Sequence, residues 1–161
     1  MERPRLCLLF RTNWEPVEHL KRLVTIAASY TDKQSRYYGN EVLYNAIRDA
    51  LQYWVKQDPT CFNWWYNQIS VPQTQASLLA LMDAGQRKLP SEIRMPILKA
   101  MGERSDPRKW TGANKMDIAI HPFVRGRLLK NDSIVRGNAD EIFNPVQIVA
   151  NEGIQEDLSY H

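Results

Sequence analysis

The segment that follows Asn40 has the strongest repeating pattern in the sequence. Its apolar side chains recur at spacings of three and four residues, which is the repeat of one face of an α-helix. They are Val42, Leu43, Ala46, Ile47, Ala50, Leu51 and Trp54. Asparagine is a preferred N-cap residue, because its side chain accepts a hydrogen bond from a free backbone N–H group. The sequence therefore predicts an amphipathic helix from Asn40 to about Lys56.

The same spacing recurs in the rest of the chain, between residues that typically start or end helices. The other predicted helices are one that follows Asn13 and Pro16, one from Ser70 and Pro72 to near Gly85, one from Ser91 to Gly102, one from Asn114 to about Leu129 with a bend at Pro122, and one from Asp132 or Ser133 to Pro145. No pair of segments has a convincing strand pattern. We therefore expect an all-α chain without a repeat of fixed period.

Length and charge exclude several classes of protein. The 161 residues are the size of one domain, and the 21 basic and 18 acidic residues are scattered along the chain. A nucleic-acid binder usually has a concentrated basic stripe, so no nucleic-acid partner is expected. No apolar stretch approaches the roughly 18 residues that cross a bilayer, so no membrane partner is expected either. No export signal is visible near the N-terminus.

The residue types that hold metals or act as nucleophiles form no recognisable motif. The cysteines, Cys7 and Cys61, lack the spacing of a zinc site, and a disulfide framework is not expected. His19 and His121 are isolated in the sequence, which favours a structural role for each. We therefore expect neither a metal nor a cofactor.

Three segments combine aromatic and amide side chains: residues 63–68, 109–115 and 151–161. We expect all three to be loops. Trp64 and Trp65 are adjacent and must point in different directions, so one buried face cannot take both rings. Indole faces stack on the C–H faces of sugars, and amides bind hydroxyl and carboxylate groups. Paired tryptophans in helical proteins are more often core anchors, however, and the spacing alone leaves both roles open.

The order and spacing of these motifs resemble one family. The sequence has "NWW" at residues 63–65 followed by Pro72, then "TGAN" at 111–114 and "EDLSY" at 156–160. Together they resemble the N-terminal catalytic region of polysaccharide lyase family eight, which includes chondroitin AC, hyaluronate and xanthan lyases. The resemblance runs from about Trp14 to the end of the chain and is strongest to the chondroitin AC branch.

The resemblance implies a fold and a site. The expected fold is an incomplete (α/α) toroid, which in the family is followed by β-sandwich domains. Trp64 and Trp65 would form an aromatic platform for sugar rings, with Asn63 nearby. Asn114 would be the catalytic amide, which stabilises the negative charge that develops on a uronic acid carboxyl group when its C5 proton is removed. From the residues alone Asn114 could be a helix N-cap, and the two roles are compatible.

The chain also departs from the family pattern. The family places a histidine and a base tyrosine after the segment equivalent to "EDLSY", whereas this sequence ends at His161. His161 falls just before the motif histidine in register, so the catalytic role is not assigned to it. We expect a truncated member that lacks the C-terminal domains of the parent enzyme and that alone has no measurable elimination activity.

The expected partner is an acidic polysaccharide of the chondroitin or hyaluronan type. The family is secreted or periplasmic, although this chain shows no signal peptide. Two alternatives from other classes are a non-catalytic carbohydrate-binding module that uses the paired tryptophans, and a helical scaffold for a protein partner.

Overall fold

The computed structural model describes residues 14–143 and 154–159, which are mainly helical. The α-helices are α1 (Glu15–Thr31), α2 (Glu41–Gln57), α3 (Val71–Ala84), α4 (Ser91–Arg104), α5 (Gly112–Leu129) and α6 (Asp132–Phe143). A π-helical segment, Tyr66–Ser70, leads into α3, and a short 3-10 helix, Pro107–Lys109, precedes α5. The described residues contain no β-strand, so the all-α expectation is confirmed.

Several helix ends lie where the cap residues predicted them. The Oδ1 atom of Asn40 accepts a hydrogen bond from the backbone N–H of Leu43 at 3.1 Å, which caps α2 as expected. Gly85 directly follows the end of α3. Helix α5 continues through Pro122, the position of the predicted bend.

Two predicted helix ends are wrong, and one has a clear physical reason. Helix α4 continues past Gly102 to Arg104, because Gly102 serves close packing and does not end the helix. A Cβ atom at Gly102 would lie 2.8 Å from Nε of Arg125, whose guanidinium donates a hydrogen bond to the Leu98 carbonyl at 2.7 Å. Helix α5 begins at Gly112, before the predicted start at Asn114.

The chain forms two compact units, and their boundary falls between Ile97 and Leu98. In the first unit α1 packs against α2 and α3. Its core contains apolar side chains that are almost fully buried: Leu20, Ile47, Leu51, Ile69, Leu78, Leu79 and Met82. The hydroxyl of Tyr44 donates to the Lys88 carbonyl at 2.9 Å, which fixes the segment after α3 to α2.

In the second unit α5 packs along α6 and against the 3-10 helix. Gly126 allows the close approach of α5 and α6, because a Cβ atom there would lie 2.9 Å from both the backbone nitrogen and Cγ2 of Val135. The ammonium group of Lys115 pairs with Glu141 at 3.1 Å, and both side chains are largely shielded from solvent. Ile118 and Ala119 are fully buried.

Cys61 takes part in a disulfide bond, which corrects the expectation drawn from the cysteine spacing. Spacing along the sequence does not report how close two cysteines lie in a fold, and that distance decides whether a disulfide can form. The other cysteine of the sequence, Cys7, lies outside the described residues.

None of the helices in residues 14–143 is both long enough and apolar enough to span a bilayer.

Candidate functional site

Trp64 and Trp65 form a helical turn directly before the π-helical segment, so the expectation of a loop here is wrong. Their side chains are 37% and 39% exposed, whereas Trp14 and Trp54 are 3% and 5% exposed. The chain therefore separates its tryptophans into buried anchors and a half-exposed pair. The exposure of Trp64 and Trp65 disfavours the core-anchor alternative for that pair.

The π-helical segment directly follows the turn that carries the indole pair, Trp64 and Trp65. Pro72 has no backbone N–H, so one hydrogen bond of the α-helical pattern is missing here. The N–H of Val71 instead donates to the carbonyl of Tyr66, five residues back, in the π pattern. Single π turns are uncommon in helices and occur often at functional sites.

A series of aromatic contacts links Trp65 to the core. The ring of Trp65 packs edge to face on Tyr66, with 5.4 Å between the ring centroids. The ring centroids of Tyr66 and Trp14 lie 5.7 Å apart. Trp14 in turn meets Trp54 at 6.4 Å. Tyr66, Trp14 and Trp54 are all buried, so Trp65 rests on rings that belong to the core. Such contacts fix the orientation of a ring better than apolar packing of aliphatic groups does.

The side chain of Asn63 is exposed and contributes to the local backbone structure. Its Oδ1 atom accepts a hydrogen bond from the backbone N–H of Trp65 at 3.0 Å. The amide nitrogen of Asn63 has no hydrogen-bond partner among residues 14–143 and 154–159. An amide fixed by its oxygen and open at its nitrogen can donate to a hydroxyl or carboxylate group of a ligand.

Asn67 has a role that the sequence did not predict. Its Oδ1 atom accepts from the backbone N–H of Cys61 at 2.8 Å, and its Nδ2 group donates to the Cys61 carbonyl at 2.6 Å. This double hydrogen bond closes the segment that contains the indole pair. The only signal in the sequence was the high amide content of residues 63–68, which does not show which amide binds the backbone.

Asn114 lies in the second unit, within the first turn of α5, and its side chain is partly exposed. The N-cap position belongs to Thr111, so the reading of Asn114 as an N-cap is wrong. Gly112 has a φ of 56°, a left-handed conformation that glycine adopts without strain, and it allows the chain to turn sharply into α5. The adjacent Lys115 is held by its ion pair with Glu141. The described contacts of Asn114 include no side-chain hydrogen bond.

The segment before α5 carries a local cluster of charges. The side chain of Asp106 accepts hydrogen bonds from the backbone and the guanidinium of Arg108, at 3.2 and 2.8 Å. The hydrogen bond from the Arg108 side chain is the main reason why the pKa of Asp106 lies below its ordinary value. Lys109 is a second cation beside Asp106, so the approach to α5 has an excess of positive charge.

His121 is buried within α5, with 1% of its surface exposed. Neither ring nitrogen has a hydrogen-bond partner among the described residues. Burial disfavours the charged imidazolium and lowers the pKa of His121 to about 4. A neutral, buried imidazole agrees with the structural role that the sequence favoured for this residue.

The described residues 154–159 include the first four residues of "EDLSY" and contain a turn at residues 156 and 157. The Asp157 carboxylate accepts from the backbone N–H and the hydroxyl of Ser159, at 3.0 and 2.7 Å, and these bonds lower the pKa of Asp157. His161 lies outside the described residues. In the described part of the chain, no three histidine, cysteine or acidic side chains come together in a way that could hold a metal ion.

A helical chain with this order of elements has the fold of the α/α toroid class. It belongs to polysaccharide lyase family 8, because the family model of the N-terminal alpha-helical domain matches residues 9–161. Chondroitinase-AC of Pedobacter heparinus is 41% identical over 150 residues, and the aligned part covers 92% of this chain and 21% of that protein.

Solved structures give the same picture of the fold. A chondroitinase AC lyase determined as enzyme–oligosaccharide complexes matches with a TM-score of 0.87 and 41% identity, over 92% of this chain and 22% of its own. A Paenibacillus xanthan lyase matches with a TM-score of 0.81 over 100% of this chain and 16% of its own, and its 22% identity shows the fold alone. The chain thus spans about a fifth of the length of these relatives.

Proposed function

We propose that this chain is the N-terminal part of a polysaccharide lyase that cleaves uronic-acid-containing glycosaminoglycans of the chondroitin or hyaluronan type by β-elimination. The observation that carries the proposal is the half-exposed indole pair, Trp64 and Trp65, in a chain that is 41% identical to chondroitinase-AC over most of its length. The name of this relative indicates chondroitin as its substrate, and we propose the same class of substrate here.

The reaction removes the C5 proton of a uronic acid and expels the sugar linked to C4. The electron pair of the C5–H bond becomes the C4–C5 double bond, the C4–O4 bond breaks, and the leaving oxygen takes up a proton. Negative charge builds up on the C5 carboxyl group in the transition state. A neutral amide donor such as Asn114, held against that group, stabilises this charge more in the transition state than in the ground state.

The indole pair would bind sugar rings of the substrate. Sugar rings present C–H faces that pack on exposed indoles, and Trp65 is already fixed by its edge-to-face contact with Tyr66. The open amide nitrogen of Asn63 lies in the same segment and can donate to a hydroxyl or carboxylate of the bound sugar.

Tryptophan fluorescence during titration with chondroitin oligosaccharides tests this proposal. We expect a saturable change in the 161-residue chain, and roughly tenfold weaker binding for each of Trp64→Ala and Trp65→Ala. Tyr53→Ala is the matched control, because Tyr53 is 64% exposed and lies on α2, outside residues 61–68, which we call the aromatic segment. Equal binding by the tryptophan variants and the control would refute a role for the indole pair.

A sugar-binding role without catalysis is the second candidate, and the exposure of Trp64 and Trp65 favours it independently of the catalytic amide. The two functions are distinguished by an ultraviolet assay for unsaturated uronate on the native protein isolated from its source. Saturable binding without product formation would support the binding module and refute the lyase.

We further propose that the protein acts outside the cytoplasm, secreted or in the periplasm, since polymeric glycosaminoglycans are extracellular substrates. Fractionation of the source cells, followed by detection of the protein with an antibody, tests this location. Detection only in the cytoplasmic fraction would contradict it.

A further inference from the structure

Asn67 joins the two ends of the segment that carries the indole pair. Its side chain forms hydrogen bonds with both backbone groups of Cys61, at 2.8 and 2.6 Å, as a neighbouring strand would do. The closed segment contains Phe62, Asn63, Trp64 and Trp65. Because one rigid amide plane makes both bonds, the pair fixes orientation as well as distance.

The surroundings of this double hydrogen bond protect it from solvent. Cys61 is 6% exposed. Asn67 is partly buried and belongs to the π-helical segment, whose Ile69 is buried in the core of the first unit. Hydrogen bonds that water reaches poorly constrain a segment more than exposed ones do.

The rings of the segment are exposed even though their backbone is fixed. Phe62 is 94% exposed, and Trp64 and Trp65 keep more than a third of their surface in solvent. Rings held in one orientation before a ligand binds lose less conformational entropy on binding than mobile rings do. The bonds made by Asn67 therefore have a direct consequence for affinity.

We propose that Asn67 is a positioning residue, which presets Trp64 and Trp65 for stacking on a sugar through its double hydrogen bond to Cys61. The inference rests on the proposed function, because it concerns the same sugar-binding surface. Asn67 acts through the segment that it closes and does not contact the sugar itself.

The experiment compares Asn67→Ala with Gln68→Ala in the 161-residue chain. Gln68 is the neighbouring amide in the π-helical segment, and its side chain forms no hydrogen bond within the described residues. Without sugar, we expect Asn67→Ala to weaken the near-ultraviolet circular dichroism of the Trp65–Tyr66 pair and to increase acrylamide quenching, with unchanged helix content. With chondroitin oligosaccharides, we expect affinity to fall on the order of tenfold. Gln68→Ala should behave as the wild type in each measurement.

A second control separates positioning from loss of stability. Ile47→Val removes one methylene-sized group from the buried face of α2, so it lowers stability away from the aromatic segment. It should melt at a lower temperature yet keep the near-ultraviolet signal and the affinity. If Ile47→Val lost affinity as Asn67→Ala does, the effect of Asn67 would be one of stability, and the inference would be overturned.

The spectra without sugar distinguish failure of this inference from failure of the proposed function. If the wild type bound no sugar, the proposed function would fail, but an altered ring signal in Asn67→Ala would still support its role in positioning. An Asn67→Ala protein with wild-type ring signals and quenching would overturn the inference, whether or not the chain binds sugar.

Discussion

The aromatic segment of the first unit and the α5 region of the second unit differ in whether their polar side chains are hydrogen-bonded. In the aromatic segment, the Asn63 and Asn67 side chains bind backbone groups. In the second unit, the buried polar atoms of His121 and Ser105 have no hydrogen-bond partner among the described residues. A buried polar group without a partner costs about 1–3 kcal/mol.

This difference separates the two units in how firmly their polar side chains are held. The aromatic segment is built to hold rings in a fixed orientation, which suits binding. The second unit carries Asn114 on a helix whose interior contains an uncompensated imidazole, so we expect that unit to respond more strongly to pH and to substitution.

The largest expected effect concerns Asn114, and it tests whether the second unit supplies the catalytic step. The substitution Asn114→Ala is introduced into the gene, and the protein is isolated from its source. The substitution should lower kcat for elimination by about 100- to 1,000-fold with a smaller change in KM, as loss of one transition-state donor does. The rate of unsaturated uronate formation measures this. Asn138→Ala is the matched control, because within the described residues the Asn138 amide binds the Ile134 carbonyl of its own helix, at 2.8 Å, and no other group. Equal rates for the two variants would contradict the assignment.

The next effect concerns pH and tests the cost of burying His121. The pKa of His121 is lowered from its ordinary value of 6.5 to about 4 in the folded chain. At pH values between 4 and 6.5, the unfolded state therefore binds a proton that the folded state does not. The contribution to stability is complete above about pH 6.5 and is lost progressively as the pH falls towards 4, by roughly 3 kcal/mol. Urea unfolding at a series of pH values measures it.

The variant His121→Leu isolates the contribution of the imidazole from that of the carboxylates. Its free energy of unfolding should vary less between pH 6.5 and 4 than that of the wild type, since leucine takes up no proton. Parallel curves for the two proteins over this range would show that His121 is not the cause.

The smallest effect tests the close packing of α5 on α6. Gly126→Ala places a Cβ atom 2.9 Å from the backbone nitrogen of Val135, so we expect a loss of about 2 kcal/mol of stability. Gly137→Ala is the matched control within α6, since nothing lies within 4 Å of its added Cβ, and it should gain about 1 kcal/mol from helix propensity. Thermal unfolding measures both effects. Midpoints that shift in the same direction for the two variants would contradict the packing argument.

Much of the helical fold could be predicted because its signals are local. The Asn40 cap and the apolar spacing that follows it act within a few residues of each other, and α2 has the predicted bounds to within a residue. Gly102 was misread because a glycine that ends a helix and one that admits a neighbouring side chain look alike in sequence. Only its contact with Arg125 distinguishes them.

The exposure of the tryptophan pair could be predicted from the sequence, but the framework that holds the pair could not. The adjacent tryptophans indicated that one face could not bury both rings, and the structure leaves both of them half exposed. The π-helical turn, the double hydrogen bond of Asn67 and the unpartnered nitrogens of His121 depend on groups brought together by tertiary structure. Spacing along the chain carries no information on such contacts.

The π turn also gives the aromatic segment a route of evolutionary change that an unbroken α-helix lacks. A π turn contains one residue more than an α turn, so deletion of a single codon within Tyr66–Ser70 would leave a regular α-helix. The part of the chain before the deletion would then rotate by roughly 100° about the helix axis, while α3 kept its place in the core. A single genetic event of this kind would redirect both indole rings.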